Sequence, residues 1–481
     1  MVYAAAVHPF SDVRRAFWLA SLAFLPLFLW WLGWYPAFIT GDSLDQLGQI
    51  ETGEFFNGHP AFHTITMWFI TRVWDNAAAV SLVQIVVFAL LLGLIAKRLR
   101  ELGTPLWLAV GAAWVVGLSP AVGPTAMTLW KDIAFTLAFL WVFAELLTLV
   151  RLREAYWQDV WNPVRLGAAL SLLWLFRHNG LVTMLGVLAV LAILNRRNLG
   201  RLVPMVLTVA GAVLLVQGPV FWLFTVDRST PTAAEVMLPV VASSFVHEPD
   251  NFSSTEVALL ASIAPLDVWR SRYDCDHFDP LLFDPAMSVG VIRQDPGPVL
   301  ELGVRTLWRD LDTSLGFFWC RAEFLLIPAQ PEDAYLQRPP FRIPVNDLGL
   351  ERSPRWSVAA DLTGEVFTRA ESPSWLWLTW RPALIIWMTF ATYVMLARRP
   401  TRALVLPAAL LGFHFLNVAA FSLNHEFRLA FPLYVAGILS LPLWWFVAHP
   451  ESLAGEGTGG TLAHDDIAAI GAGKRQVEGI K

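Results

Sequence analysis

Apolar positions in this chain neither alternate with polar ones nor form narrow stripes. They gather into long runs at residues 17–39, 77–96, 106–118, 133–150, 166–176, 181–194, 202–225, 376–396, 403–421 and 429–447. Runs of roughly 17–25 such residues match a hydrocarbon core about 30 Å thick. Lipid offers no partner for backbone N–H and C=O groups, so a run of this kind is expected to be helical. The pattern predicts an all-α polytopic membrane protein with about ten transmembrane helices.

Two features set the order of these spans. Lys and Arg collect at 14–15, 97–100, 151–165, 196–201 and 398–402, which fall on alternate loops. Short basic loops stay in the cytoplasm, which predicts cytoplasmic termini. The scheme requires residues 166–194 to be a hairpin of two short helices rather than one long one. Its first arm, about 11 residues at ~1.5 Å each, is too short to span a bilayer. The turn at Arg177, His178 and Asn179 is therefore expected within the outer leaflet, facing a protein cavity.

The polar remainder divides the chain. Residues 1–225 are expected to be an N-terminal transmembrane module, 226–375 a mostly helical extracytoplasmic domain, and 376–448 the C-terminal spans. The Gly-rich stretch 449–481 is expected to be a disordered cytoplasmic tail. Within the inserted domain, Ser253 and Glu256 form an S-x-x-E start signal before ValAlaLeuLeu. After Pro296 and Pro298, residues Leu300, Val304, Leu307, Trp308 and Leu311 share one helical face.

Composition agrees with the pattern. Of 481 residues 56% are hydrophobic and 15% charged, against about 25% charged in soluble domains. The 24 Trp collect at run ends, for example Trp30, Trp31 and Trp34, or Trp375, Trp377 and Trp380, as rings with one polar N–H do at the headgroup boundary. No basic stripe with interleaved aromatics suggests nucleic acid. The first run lacks a small-x-small cleavage site, which predicts a retained helix. Both cysteines, Cys275 and Cys320, lie in the inserted segment. A disulfide and two free thiols both stay open, because sequence does not give their separation.

Five motifs carry candidate chemistry, all expected on the non-cytoplasmic side. GlyAspSerLeuAspGln at 41–46 places Asp42 at a helix mouth, as a general base or as the helix N-cap. GlyHisPro at 58–60 puts His59 one turn before His63, a spacing open to capping or to metal ligation. TrpLysAsp at 130–132 opens a helix with two ionisable groups at membrane depth, where such groups face a cavity and a partner, or simply anchor the helix end. ArgHisAsnGly at 177–180 and AsnHisGluPheArg at 424–428 complete the set. One acid, Asp42, thus shares a face with Lys131, Arg177 and Arg428, an arrangement suited to releasing a phosphate ester's leaving group. The acidic run 274–279 is expected to be a loop rather than a metal site.

These motifs resemble the GT-C superfamily of membrane glycosyltransferases, which includes bacterial aminoarabinose transferases and protein O-mannosyltransferases. Those enzymes carry an acidic residue just after the first helix, matched by Asp42. A Pro motif opening a surface helix is matched by GlyHisProAlaPhe at 58–62, and a second acid in the next outer loop by Asp132. A late basic residue followed by Tyr is matched by Arg428, here followed by Leu429. The usual neighbouring acid is replaced by Ser43, with Asp45 nearby. The likeness covers mainly the first 200 and last 100 residues, and is nearest to an uncharacterised bacterial branch.

The resemblance implies a GT-C-like bundle in a bacterial cytoplasmic membrane and a polyprenyl-phosphate sugar donor. It further implies inverting transfer to a hydroxyl of a glycan, lipid or protein acceptor. Asp42 would be catalytic. Lys131, Arg177 and Arg428 would meet the phosphate, and Asp132, His59, His178, Asn179 and Asp45 would bind substrate. A divalent cation stays open as a cofactor. A lipid-linked glycan ligase or polymerase, a flippase, and a structural membrane protein are the rival classes. No inverted repeat favours transport.

Overall fold

Each of the ten apolar runs carries helix in the computed structural model, which describes residues 9–228, 233–331, 334–398 and 402–450. Helices α1 (Pro9–Ser21) and α2 (Phe24–Gly33) form the first span. Two short helices, α3 (Gly41–Thr52) and α4 (Ala61–Thr71), precede α5 (Ala77–Glu101). Then come α6 (Leu106–Leu118), the short α7 (Val122–Met127), α8 (Lys131–Leu152), α9 (Trp161–Phe176), α10 (Gly180–Leu194) and α11 (Val203–Leu215). The inserted segment contributes α12 (Ala233–His247), α13 (Ser254–Ile263), α14 (Gly297–Arg309), α15 (Leu311–Leu326) and α16 (Ser357–Ala370). The chain returns through α17 (Pro373–Thr379), α18 (Ala383–Ala397), α19 (Leu406–Phe421) and α20 (Phe427–Ser440). Among the described residues there is no strand, only four isolated bridges. The expected tail lies outside the described residues beyond Pro450.

Seven described segments are long and apolar enough to cross a membrane: Ser11–Gly33, Ala77–Glu101, Lys131–Gln158, Leu199–Leu223, Pro373–Ala397, Ala403–Phe421 and Phe427–Ala448. The other three runs form shorter helices, α6, α9 and α10, of 13, 16 and 15 residues. Residues 166–194 are indeed broken at 177–179. Gly180 makes the tight return feasible, since a Cβ there would sit 2.0 Å from the Leu173 carbonyl oxygen.

Several helix ends differ from the pattern, and proline accounts for them. The first helix stops at Gly33 rather than near residue 39, because the residue before Pro36 is pushed out of helical conformation. Pro382 likewise separates α17 from α18 within one apolar run. Pro219 opens a π-helical turn, Val216–Val220, after α11.

The largest apolar core joins α1, α2, α5, α6, α8–α11 and α18–α20. The segments containing α8 and α20 are its axis, each 83% buried, against 28% for the segment containing α11. A second core, including Leu238, Trp269, Phe278 and Leu302, belongs to the inserted segment. There Ser253 and Glu256 form the expected reciprocal cap. The apolar face of α14 is turned outward: Val304 and Trp308 are exposed, Trp308 to 78%, whereas Val299, Leu302 and Thr306 are buried.

The molecule has two chemically distinct ends. At one, the basic loops are drawn together by ion pairs: Arg100 with Asp12, Arg98 and Arg151 with Glu101, and Arg201 with Glu154. The starts of α3, α8, α10 and α20 occupy the other, together with the inserted segment.

Candidate functional site

Local pairing brings the starts of α3 and α8 together. Thr40 caps α3 through a reciprocal arrangement with Ser43, so Asp42 is not the cap and its carboxylate is released from that duty. The same Thr40 hydroxyl accepts from Trp130 Nε1 at 2.9 Å. Ser43 donates to the Leu129 carbonyl at 3.2 Å, and Phe38 bridges Thr128. Asp42 therefore stands beside Lys131 and Asp132, although nearly ninety residues separate them.

The start of α4 is fixed in the same way. Asn57, not His59, accepts the Ala61 N–H at 2.9 Å. His59 is left to approach Lys131 Nζ through Nδ1 at 2.5 Å and Asp42 through Nε2 at 4.0 Å. His63 turns away to Gln46 at 3.1 Å, so the two histidines do not form a pair. At the hairpin turn, Arg177 pairs with Asp132 and holds Asn179 Oδ1 at 2.8 Å. His178 Nε2 meets the Asn57 carbonyl at 3.0 Å.

Arg428, at the start of α20, joins these parts. Its guanidinium reaches Asp42 at 2.6 Å, Glu426 at 2.7 Å and Asp132 at 3.8 Å, and lies 5.0 Å from the centre of the Trp130 ring. Asp45 does not join them. It is exposed on α3 and accepts from Gln49 at 2.8 Å. The side chains of Asp42 and His59 remain 34% and 28% exposed, whereas Arg428 and Arg177 are 13% and 15% exposed. The acid and the imidazole thus form the mouth, and the guanidiniums lie beneath.

The electrostatics follow from this packing. Burial raises the Asp42 carboxyl, but the charges of Arg428, Lys131 and His59 outweigh it and hold the group well below the usual carboxylate range. Burial, with Lys131 adding to it, lowers His59 to about 4, so its ring is neutral near pH 7. Burial also lowers His178. Burial raises Glu426, yet Arg428 beside it brings the net shift down. Three carboxylates, Asp42, Asp132 and Glu426, face three cations, Lys131, Arg177 and Arg428. The pattern of one acid against three cations is therefore corrected to a balanced set.

No protein-family model matches the chain, nor does any curated protein or solved structure.

Sequence motifs located most of this constellation; they contained Glu426 and Trp130 without giving either a role, and they missed Thr40 and Asn57. Glu426 had a signal: it is an acid at the N-cap of the helix that Arg428 helps to open, where acidic groups are favoured. Thr40 had another, the T-x-x-S spacing around Gly41 and Asp42. The donor set does not fit a divalent cation. Asp42, Asp132 and Glu426 each lie against a guanidinium, and no group of three or more potential ligands occurs among the described residues.

In the inserted segment Cys275 and Cys320 are joined in a disulfide, with Cα atoms 6.3 Å apart. Around it the segment grips residues 422–427. The Ser422 carbonyl accepts from Arg321 at 2.5 Å, and the Leu423 carbonyl from Phe278 N–H at 3.3 Å. His425 N–H donates to the Asp276 carbonyl at 2.8 Å, and His425 Nε2 meets the Cys320 carbonyl at 2.7 Å. Gln337 bridges Glu426 from the other side. The loop carrying Glu426 and Arg428 is therefore held mainly by residues flanking the disulfide.

Proposed function

We propose that the protein is a multi-pass glycosyltransferase of a bacterial cytoplasmic membrane, with about ten transmembrane helices and its site on the non-cytoplasmic face. It would move a sugar from a polyprenyl-phosphate donor to an acceptor hydroxyl. The observation that carries this reading is the convergence of four helix N-termini, those of α3, α8, α10 and α20, with Lys131, Arg177 and Arg428. Helix N-termini and guanidiniums both favour anions, and guanidiniums match phosphate oxygens two at a time. The basic loops gathered at the far end support a cytoplasmic assignment for that end. Lipid-linked rather than nucleotide-linked sugars are available opposite it. The likeness of the motifs to GT-C enzymes supplies the donor class.

In this scheme Arg428, Arg177 and Lys131 bind the donor phosphate. Asp42 takes the acceptor's hydroxyl proton as its oxygen bonds to the anomeric carbon. The bond from that carbon to the phosphate oxygen breaks, and the phosphate departs with the electron pair. Attack opposite the leaving group inverts the anomeric centre. In the resting protein Arg428 holds Asp42 too acidic to be a good base. A phosphate that engages Arg428 draws it from Asp42 and restores the carboxylate's basicity. His59, His178 and Asn179 orient the substrate, and Asp132 holds Arg177.

A deletion strain is expected to accumulate a polyprenyl-phosphate sugar and lose one envelope modification, read by mass spectrometry. Asp42→Asn, which keeps size and leaves the Thr40 cap intact, should lower transfer by about 10²–10⁴-fold. Normal transfer by the folded variant would overturn Asp42 as the base. Unchanged lipid and glycan pools in the deletion strain would overturn the function itself.

A further inference from the structure

The apolar row on α14 and α15 is exposed although it is long, regular and bulky. Val304 and Trp308 follow one another by four residues on α14, and Leu311, Leu315 and Trp319 do so on α15. All five are exposed. The second core does not need them, because Val299, Leu302 and Thr306 of α14 and Ser314 and Phe317 of α15 face inward instead. An exposed apolar row of this extent marks a contact surface.

The same face of α15 leads toward the membrane spans. Leu326 lies seven residues beyond Trp319, two helical turns along that face. Its carbonyl accepts from Trp387 Nε1 at 2.8 Å. Trp387, Phe390 and Leu416 belong to the spans 373–397 and 403–421 and are exposed where those spans face outward. With Leu326 they line an almost wholly apolar cavity of about 650 Å³. On α15 the row thus leads, past Glu323, toward a surface that lipid must cover. Exposed Trp74, Trp222, Trp375 and Trp377 stand at the same ends of their spans, the position at which indole rings mark the headgroup boundary. Glu301 and Arg305, paired at 2.5 Å, border the row and suit a headgroup level rather than the hydrocarbon.

We propose that this face of α14 and α15 lies in the lipid headgroup layer, so that the inserted segment rests on the bilayer beside the site rather than standing in water. The chain's two cysteines are joined to each other, so an introduced cysteine is a unique free thiol. Val304→Cys, Leu311→Cys, Leu315→Cys and Trp319→Cys, each carrying a nitroxide, would be examined in phosphatidylcholine–phosphatidylglycerol nanodiscs beside Asp267→Cys, an exposed polar position. The ratio of collisions with oxygen to those with a water-soluble nickel complex is expected to be several-fold higher at the four row positions than at residue 267. Equal ratios would place the row in water and overturn the proposal. Exclusion of both reagents would show a protein partner or a second copy and would overturn it equally.

Discussion

At the scale of single residues, the site is set by Arg428. A buried ion pair gives little net stability when complete, but removing one partner strands the other. Arg428 serves Glu426, which is 5% exposed, and also Asp42 and Asp132. Arg428→Ala is therefore expected to cost about 3–5 kcal/mol, seen as a lower unfolding midpoint of the purified protein. Adding Glu426→Gln should restore part of the loss, because it removes one stranded charge. Motifs located Arg428 but not its neutralisation, since Glu426 stood within a recognised cluster without a role. The position of Asp42 was legible and its freedom from capping was not: Gly41-Asp42 and Thr40-x-x-Ser43 both resemble helix starts, and only the fold selects Thr40.

At the scale of elements, the apolar runs marked every span, and charge alone distinguished the 166–194 hairpin from a single helix. Hydrophobic periodicity also found α14 and its apolar face, which the fold turns outward. Periodicity identifies a face, not what lies against it. Least legible was the grip on residues 422–427, built largely from backbone groups at 276, 278, 320 and 337, beside the Arg321 guanidinium. Such pairings depend on main-chain N–H and C=O groups that every sequence possesses. The disulfide closes a separation of 45 residues, for which constraint of the unfolded chain gives roughly 4 kcal/mol. Cys275→Ser is expected to lower the unfolding midpoint accordingly. It should also speed amide exchange at 422–428 more than at α9, and equal effects at both places would separate the disulfide from the site.

At the scale of the whole molecule, the separation of basic loops from the charged site is the property on which the proposed function depends. If the basic end is cytoplasmic, a membrane-impermeant thiol reagent added to intact spheroplasts should label Asp267→Cys and spare Asn198→Cys between α10 and α11. The reverse pattern would turn the molecule over and remove access to lipid-linked donors at the site. Sequence showed this polarity through loop charges. It did not show that two buried spans, α8 and α20, both begin within the site, because burial ranks helices only after they pack.

The balanced charges also bear on how the chain is made. Residues up to Arg177 bring two acids, Asp42 and Asp132, and two cations, Lys131 and Arg177; the loop before the last span then brings Glu426 together with Arg428. Each instalment is neutral by itself. The earlier helices can therefore insert and wait through the synthesis of some 250 further residues (178–427) without an uncompensated charge at membrane depth. The final pair joins them without upsetting that balance, so that biogenesis proceeds in neutral steps.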